Sequence, residues 1–200
     1  MSEDRWTLLH QRINACEACP LCRTALHRVP GQGDPASPLM LVGEGPGQRE
    51  DEEGYAFIGA AGQLLTTLLL EIGLPRDRLY ICNVVKCRPP GNRAPTPAEA
   101  AACNPWLRQQ LSLVQPKVVV LLGLTAAQHL LEQDVHITRV RGSWYQKDGM
   151  WVMPTYHPSA LLRDASKLPQ ARADFASLRN RLYALGLYSD LTAYTHLASF

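Results

Sequence analysis

Glu44, Asn83 and His157 each stand just behind a short apolar run. Leu39-Met40-Leu41-Val42 leads into Gly43-Glu44-Gly45-Pro46-Gly47. Leu79-Tyr80-Ile81-Cys82 leads into Asn83, and Trp151-Val152-Met153 into Pro154-Thr155-Tyr156-His157-Pro158. A carboxylate, a carboxamide and an imidazole supply an acid–base group, a paired donor and acceptor, and a titratable donor. If the apolar runs are strands of one open α/β sheet, the loops at their carboxyl ends meet in one crevice. Glycine at 43, 45 and 47 lets the backbone approach a bound group closely. Each segment alone reads as an ordinary strand-to-helix turn. Together they describe a site.

A second group of residues suits a metal. Cys16-Glu17-Ala18-Cys19 is a CxxC pair, Cys22 follows three residues on, and Cys87 and Cys103 have fifteen residues between them. Disulfides are rare in reducing compartments. Four thiolates in two pairs hold either zinc or an iron–sulfur cluster. The expected quartet is Cys16, Cys19, Cys87 and Cys103. Cys82 lies inside an apolar run and reads as a small buried hydrophobe, and Cys22 is either a surplus ligand or a bystander.

These residues need a scaffold, and the composition supplies one. With 200 residues, 46% hydrophobic and 19% charged, the chain is globular and can bury a sizeable core. The expected organisation is one domain over 1–185 and a C-terminal tail over 186–200. No apolar run approaches the ~20 residues of a membrane span. The charged start, Met1-Ser2-Glu3-Asp4-Arg5-Trp6, lacks the apolar stretch of a signal peptide, which predicts a cytoplasmic monomer. A net charge of +2 neither requires nor excludes a polyanionic partner. Arg88, Arg93, Arg139, Arg141, Arg163 and Lys167 fall in or beside loops, where phosphates can be met.

Helix and strand signals alternate. Helices are predicted over Asp4–Asn14, Ala61–Ile72, Gly123–Leu131 and Gln170–Leu185. Another starts at the cap Thr96, with Pro97 first and Glu99 third, and runs to Val114. Strands are predicted at Leu39–Val42, Leu79–Val85, Lys117–Leu122 and Trp151–Thr155, with the third so uniformly apolar that both its faces must be covered. Pro30–Pro35 reads as a turn, and Arg88-Pro89-Pro90-Gly91-Asn92-Arg93-Ala94-Pro95 as a rigid loop. The expected fold is α/β, a three-layer αβα sandwich around a central, mainly parallel four-stranded sheet. The cysteine quartet would pin the Pro-rich loop beside the site.

These stretches resemble the family 4 uracil-DNA glycosylases, the iron–sulfur-containing branch of the uracil-DNA glycosylase superfamily. The resemblance rests on CxxC at 16–19, LVGEGPGQRED at 41–51, GYAFIGAAGQLL at 54–65, YICNVVKCRPPGNRAP at 80–95, Cys103, the VVVLLG strand, RGSWY at 141–145 and YHPSALLR at 156–163. It implies excision of uracil from single- or double-stranded DNA by hydrolysis of the N-glycosidic bond, after the base is flipped from the stack. It also implies a [4Fe–4S] cluster on Cys16, Cys19, Cys87 and Cys103.

The same resemblance implies roles for single residues. Phe57 is the stacking face and Asn83 the reader of the uracil edge, with Gly43 and Gly45 shaping the pocket. His157 is the donor to uracil O2, and Glu44 offsets positive charge on the sugar or holds the attacking water. Family relatives elsewhere in the superfamily place an aspartate where this chain has Gly45. Glu50 and Asn92 are therefore further candidates for positioning water, or for orienting the loop. Pro46, Gly47, Arg93, Ser159 and Arg163 are expected at the DNA backbone, and Leu161 or Leu162 as a minor-groove wedge. Superfamily members that bind uracil-DNA covalently carry a histidine-bearing insertion after the second strand, and Arg88–Pro95 has neither histidine nor insertion. A zinc module that only binds nucleic acid is the reading from another class.

Overall fold

The computed structural model describes residues 2–192, with side chains from residue 5 onward. In chain order the elements are α1 (Ser2–Asn14), β1 (Gln32–Gly33), β2 (Leu39–Gly43), α2 (Gln48–Glu53), α3 (Ala60–Glu71), β3 (Tyr80–Asn83) and α4 (Pro97–Val114). They continue with β4 (Val118–Leu122), α5 (Leu124–Leu131), α6 (Ile137–Val140), β5 (Tyr145–Lys147), β6 (Met150–Thr155), α7 (Pro158–Arg163), α8 (Leu168–Ala184) and α9 (Tyr188–Thr192).

The sheet runs β1-β3-β2-β4-β6-β5. Its four inner strands are the expected ones, and they are parallel, with Gly43 beside Asn83 and Leu122 beside Thr155. Two short antiparallel edge strands make it a six-stranded mixed sheet, which corrects the four-stranded expectation. Their sequences are too short and too polar to read as strands. At β1, Gly33 has φ +107, and a Cβ there would fall within the carbonyl oxygen of Leu79. Only glycine lets that turn-like stretch close on the sheet.

Alternate residues of each inner strand point to opposite layers. Leu39, Leu41, Ile81, Val118 and Val120 pack against α3 and α8, through Leu65, Leu68, Phe175 and Leu178. Met40, Val42, Cys82, Val119 and Leu121 pack against α4 and α5, through Leu107, Ala126 and Leu130. All five residues of β4 are buried, as a strand covered on both faces requires. The Thr96 side chain accepts from the Glu99 amide and Glu99 reaches back to the Thr96 amide, so α4 starts in a complete capping box.

Beyond α8 the chain does not leave the domain at once. α9 buries Leu191, and the Tyr188 hydroxyl donates to the Ile72 carbonyl at 2.6 Å. The rest of the expected tail, residues 193–200, lies outside the described residues. Among the described residues no helix is long and apolar enough to cross a membrane.

Candidate functional site

Because the inner strands are parallel, Glu44, Asn83, Gly123 and His157 all emerge at one end of the sheet. The order β3-β2-β4 reverses direction at β2, and a crevice opens at such a switch point. Here it is a cavity of about 470 Å³. Glu44, Gly45, Pro46, Gly47, Glu50 and Phe57 in the stretch after β2 line it, with Asn83, Asn92, Arg93, His157, Ser159 and Arg163 at and beyond the ends of β3 and β6.

Asn83 is 1% exposed, and its Oδ1 has no hydrogen-bond partner. A buried carbonyl left unpaired costs free energy unless something else donates to it. Gly43 keeps the space in front of it open. A Cβ at 43 would overlap Asn83 Oδ1 and lie 2.5 Å from Phe57 Cζ. Gly43→Ala is therefore expected to lower the activity of this site by about tenfold or more, through misplaced groups rather than unfolding. A parental circular-dichroism spectrum alongside the slower rate is the check.

Phe57 closes one wall, its ring centroid 5.8 Å from that of His157 and inclined by 32°. Its backbone sits in the left-handed region, at φ +53, which is costly for a bulky residue. The surroundings hold it there. Glu50 Oε1 accepts from the amides of Ile58 at 2.9 Å and Gly59 at 2.7 Å. Arg76 donates to the carbonyls of Ala56 and Phe57 from the far side. Glu50 thus braces the aromatic wall through these two amides. Arg76 carries no local signal and was missed.

The His157 ring is oriented by its own helix start. Nδ1 accepts from the Ser159 backbone N–H at 3.1 Å and lies 2.8 Å from the Ser159 hydroxyl. A backbone N–H can only donate, so in the neutral ring the proton is on Nε2. Burial, with the Arg163 charge nearby, pushes the imidazole pKa down to about 4. That shift favours the neutral ring at physiological pH.

Glu44 accepts from the Thr125 hydroxyl in the first turn of α5, a partner the sequence did not reveal. Asn92 Oδ1 accepts from Arg88 Nε at 2.7 Å, which stiffens the Pro-rich loop. Arg93 lies on the cavity rim with its guanidinium paired to both Glu99 oxygens, at 2.8 and 2.7 Å. It holds the Glu99 carboxyl down to about 2. The two leucines after His157 separate cleanly. Leu161 is 2% exposed and packs in the core, whereas Leu162 is 53% exposed. The i, i+1 step on α7 puts one side chain in and the other out.

The cysteines lie on the α4 side of the sheet. Cys16, Cys19, Cys22, Cys87 and Cys103 border one small cavity with Arg28, Lys86 and Trp106. Burial and the neighbouring Cys103, Cys19 and Cys16 push the Cys87 thiol up to about 12, while Arg28 opposes this. Trp106 Nε1 donates to Cys16 Sγ at 3.2 Å, and the Lys86 amide to Cys103 Sγ at 3.3 Å. Arg28 Nε is buried without a partner. Sulfur acceptors, unspent N–H donors and cations around one space fit a net-anionic thiolate-bound group. Among the described residues no three His, Cys, Asp or Glu side chains are arranged around a single ion.

Residues 30–184 match the model of the uracil DNA glycosylase superfamily. A type-4 uracil-DNA glycosylase of Thermotoga maritima is 46% identical over 168 residues, 82% of this chain and 86% of the relative. Type-4 enzymes of Sulfurisphaera tokodaii and Pyrobaculum aerophilum are 41% and 42% identical, over 86% and 84% of this chain and 82% and 90% of the relatives. The chain, which carries its polar strand ends, its aromatic wall and its cysteines in this arrangement, belongs to the uracil DNA glycosylase superfamily and to its type-4 branch.

Proposed function

We propose that the chain is a monofunctional glycosylase that takes uracil flipped out of DNA into the Asn83 cavity and hydrolyses its N-glycosidic bond. The observation that carries this reading is the unpartnered, buried Oδ1 of Asn83 facing a cavity walled by Phe57 and His157. The Asn83 amide offers an acceptor for the uracil N3–H and a donor for O4, a pairing that cytosine's edge reverses. Phe57 offers a face for stacking. As the bond breaks, negative charge grows on the departing base, and His157 Nε2–H is suited to donate to O2 without a proton having to be bound first. Glu44, held by Thr125, is suited to offset positive character on the sugar or to hold the water that attacks it. No lysine borders the cavity among the described residues, which favours water over an amine as nucleophile and leaves an abasic site as product.

The cysteine cavity is proposed to hold a [4Fe–4S] cluster on Cys16, Cys19, Cys87 and Cys103. These four thiols border one cavity and supply the thiolate set that such a cluster takes. When bound, such a cluster cross-links the N-terminal segment to the Pro-rich loop and α4, so its role here is to hold Arg88–Pro95 over the site. Pro46, Gly47, Arg93, Ser159 and Arg163 form the rim and are proposed to meet the DNA backbone.

The direct test is incubation of the purified protein with a uracil-containing oligonucleotide, followed by alkali cleavage at abasic sites. Strand breaks at uracil positions support the reading. Intact strands, or a protein–DNA adduct surviving denaturant, overturn it. The exposed Leu162 is the proposed wedge, entering the gap left by the flipped base. Leu162→Ala is expected to slow excision from duplex on the order of tenfold, because the wedge offsets an unstacking cost of a few kcal/mol. Excision from single strands should change much less, and equal losses on both substrates would remove Leu162 from that role.

A further inference from the structure

Lys86 stands between the two sites. It follows the strand end that carries Asn83 and immediately precedes Cys87. It is 1% exposed, one of the largest fully buried side chains. Its ammonium donates to the Asn83 backbone carbonyl at 2.6 Å and to Gln110 Oε1 at 2.6 Å. Gln110 is held in turn, its amide nitrogen donating to the Pro30 carbonyl at 2.6 Å and the Tyr80 hydroxyl at 2.9 Å. The Lys86 backbone N–H donates to Cys103 Sγ, and its carbonyl accepts from the Val29 amide at 2.7 Å.

The ammonium's two hydrogen-bonded oxygens are neutral, and the buried Cys82 thiol lies beside it. None of the ion pairs among the described residues includes Lys86. A buried cation without a carboxylate is unfavourable unless an opposite charge of another kind lies nearby. Lys86 borders the cysteine cavity, and its charge acts on both the Cys103 and Cys82 thiols. Four thiolates on an iron–sulfur core leave the whole assembly anionic.

We infer that Lys86 is a positioning residue that ties uracil recognition to the cluster, its ammonium neutralising the thiolate-bound group while gripping the backbone of Asn83. The inference rests on the iron–sulfur reading above. Asn83 is the last residue of β3, and its peptide is held by two bonds, the Val84 N–H donating to the Gly43 carbonyl at 2.9 Å and the Asn83 carbonyl accepting from Lys86. Loss of the anionic group would leave Lys86 without a counter-charge while it grips the Asn83 carbonyl, one of the two bonds that fix the peptide carrying the side-chain amide.

The test compares purified, iron-loaded parent with Lys86→Met, which keeps the length and apolar stem. Three quantities are read: inhibition of excision by free uracil, the split between KM and kcat, and the rate of iron release to a chelator. The expected result is uracil inhibition weakened by about 10–100-fold, KM affected more than kcat, and faster iron release. Because the variant can fail to fold, amide exchange on the parent gives a second measurement. Removing iron should deprotect the segment 83–87 before the helices of the opposite layer. An iron-free, colourless parent would sink the cluster reading itself. A brown parent whose Lys86→Met form matches it in uracil inhibition and iron release would sink only the Lys86 inference. Unchanged protection of 83–87 after iron removal would do the same.

Discussion

His157→Ala should excise uracil about 10²–10³-fold more slowly than the parent, the loss typical of one donor aimed at developing negative charge. Folding should survive, because the imidazole contributes one cap to the short α7 and its ring lines a cavity rather than filling a core. The pH dependence separates a neutral donor from a cationic one. The folded-state pKa is pushed down to about 4 from the 6.5 of an unperturbed imidazole. Between those values the unfolded chain binds a proton that the folded site refuses. The contribution of this group to stability is therefore fully present above pH 6.5 and declines as pH falls towards 4. Catalysis limited by the neutral ring should be flat from about pH 8 down to 5 and fall only near 4. A rate that instead rises through pH 6.5 on acidification would require imidazolium, and the assignment of Nε2–H as a neutral donor would be lost.

The second large effect is expected at Cys87. Cys87→Ala should abolish the brown colour and the absorption near ~400 nm, with iron lost in parallel. Since metal-binding free energy is folding free energy in such sites, stability should drop by a few kcal/mol, on the order of 10 °C in Tm for a chain of this size. Cys22→Ala is the informative control. Cys22 borders the same cavity, but the thiols that act on Cys87 are Cys103, Cys19 and Cys16. The control should keep colour and iron. A colourless Cys22→Ala beside a brown Cys87→Ala would mean that the quartet is wrong, and a colourless parent containing zinc would replace the cluster altogether.

The two experiments probe parts of the molecule that share one loop. Arg88–Pro95 begins next to Cys87 and ends at the capping box of α4, while Pro89, Asn92, Arg93 and Ala94 face the cavity. Proline-rich backbone is stiff, but its placement over the cavity depends on both ends being anchored. Cys87→Ala is thus expected to reduce excision as well as stability, whereas His157→Ala leaves stability near that of the parent. That contrast distinguishes a group that acts on the base from one that holds the frame.

Much of this was legible in the residues. The inner strands could be read because each is a short apolar run ending at a glycine, an amide or a histidine, and period-2 burial on both faces gives an unbroken hydrophobic stretch. The α4 start was legible from Thr96, Pro97 and Glu99, because a capping box is local chemistry. The edge strands were not. Gln32–Gly33 and Tyr145–Lys147 are strands only because β3 and β6 offer free edges beside them. Leu161 and Leu162 are the same residue type in adjacent positions, and no local signal says which one the core claims.

By itself the order of residues determined the class of fold, the polar groups that end its strands and the cysteines available to a metal, since all three depend on chemistry within a few neighbours. The tertiary structure decided how those groups are held. Glu50 became a brace because Ile58 and Gly59 present their amides to it. Thr125 reached Glu44 from 81 residues away. Burial and the Arg163 charge pushed the His157 pKa down while the Ser159 amide fixed its tautomer, and Lys86 was placed between Cys103 and the Asn83 carbonyl. Charge state and orientation follow from desolvation and from partners distant along the chain, and both exist only once the layers have closed.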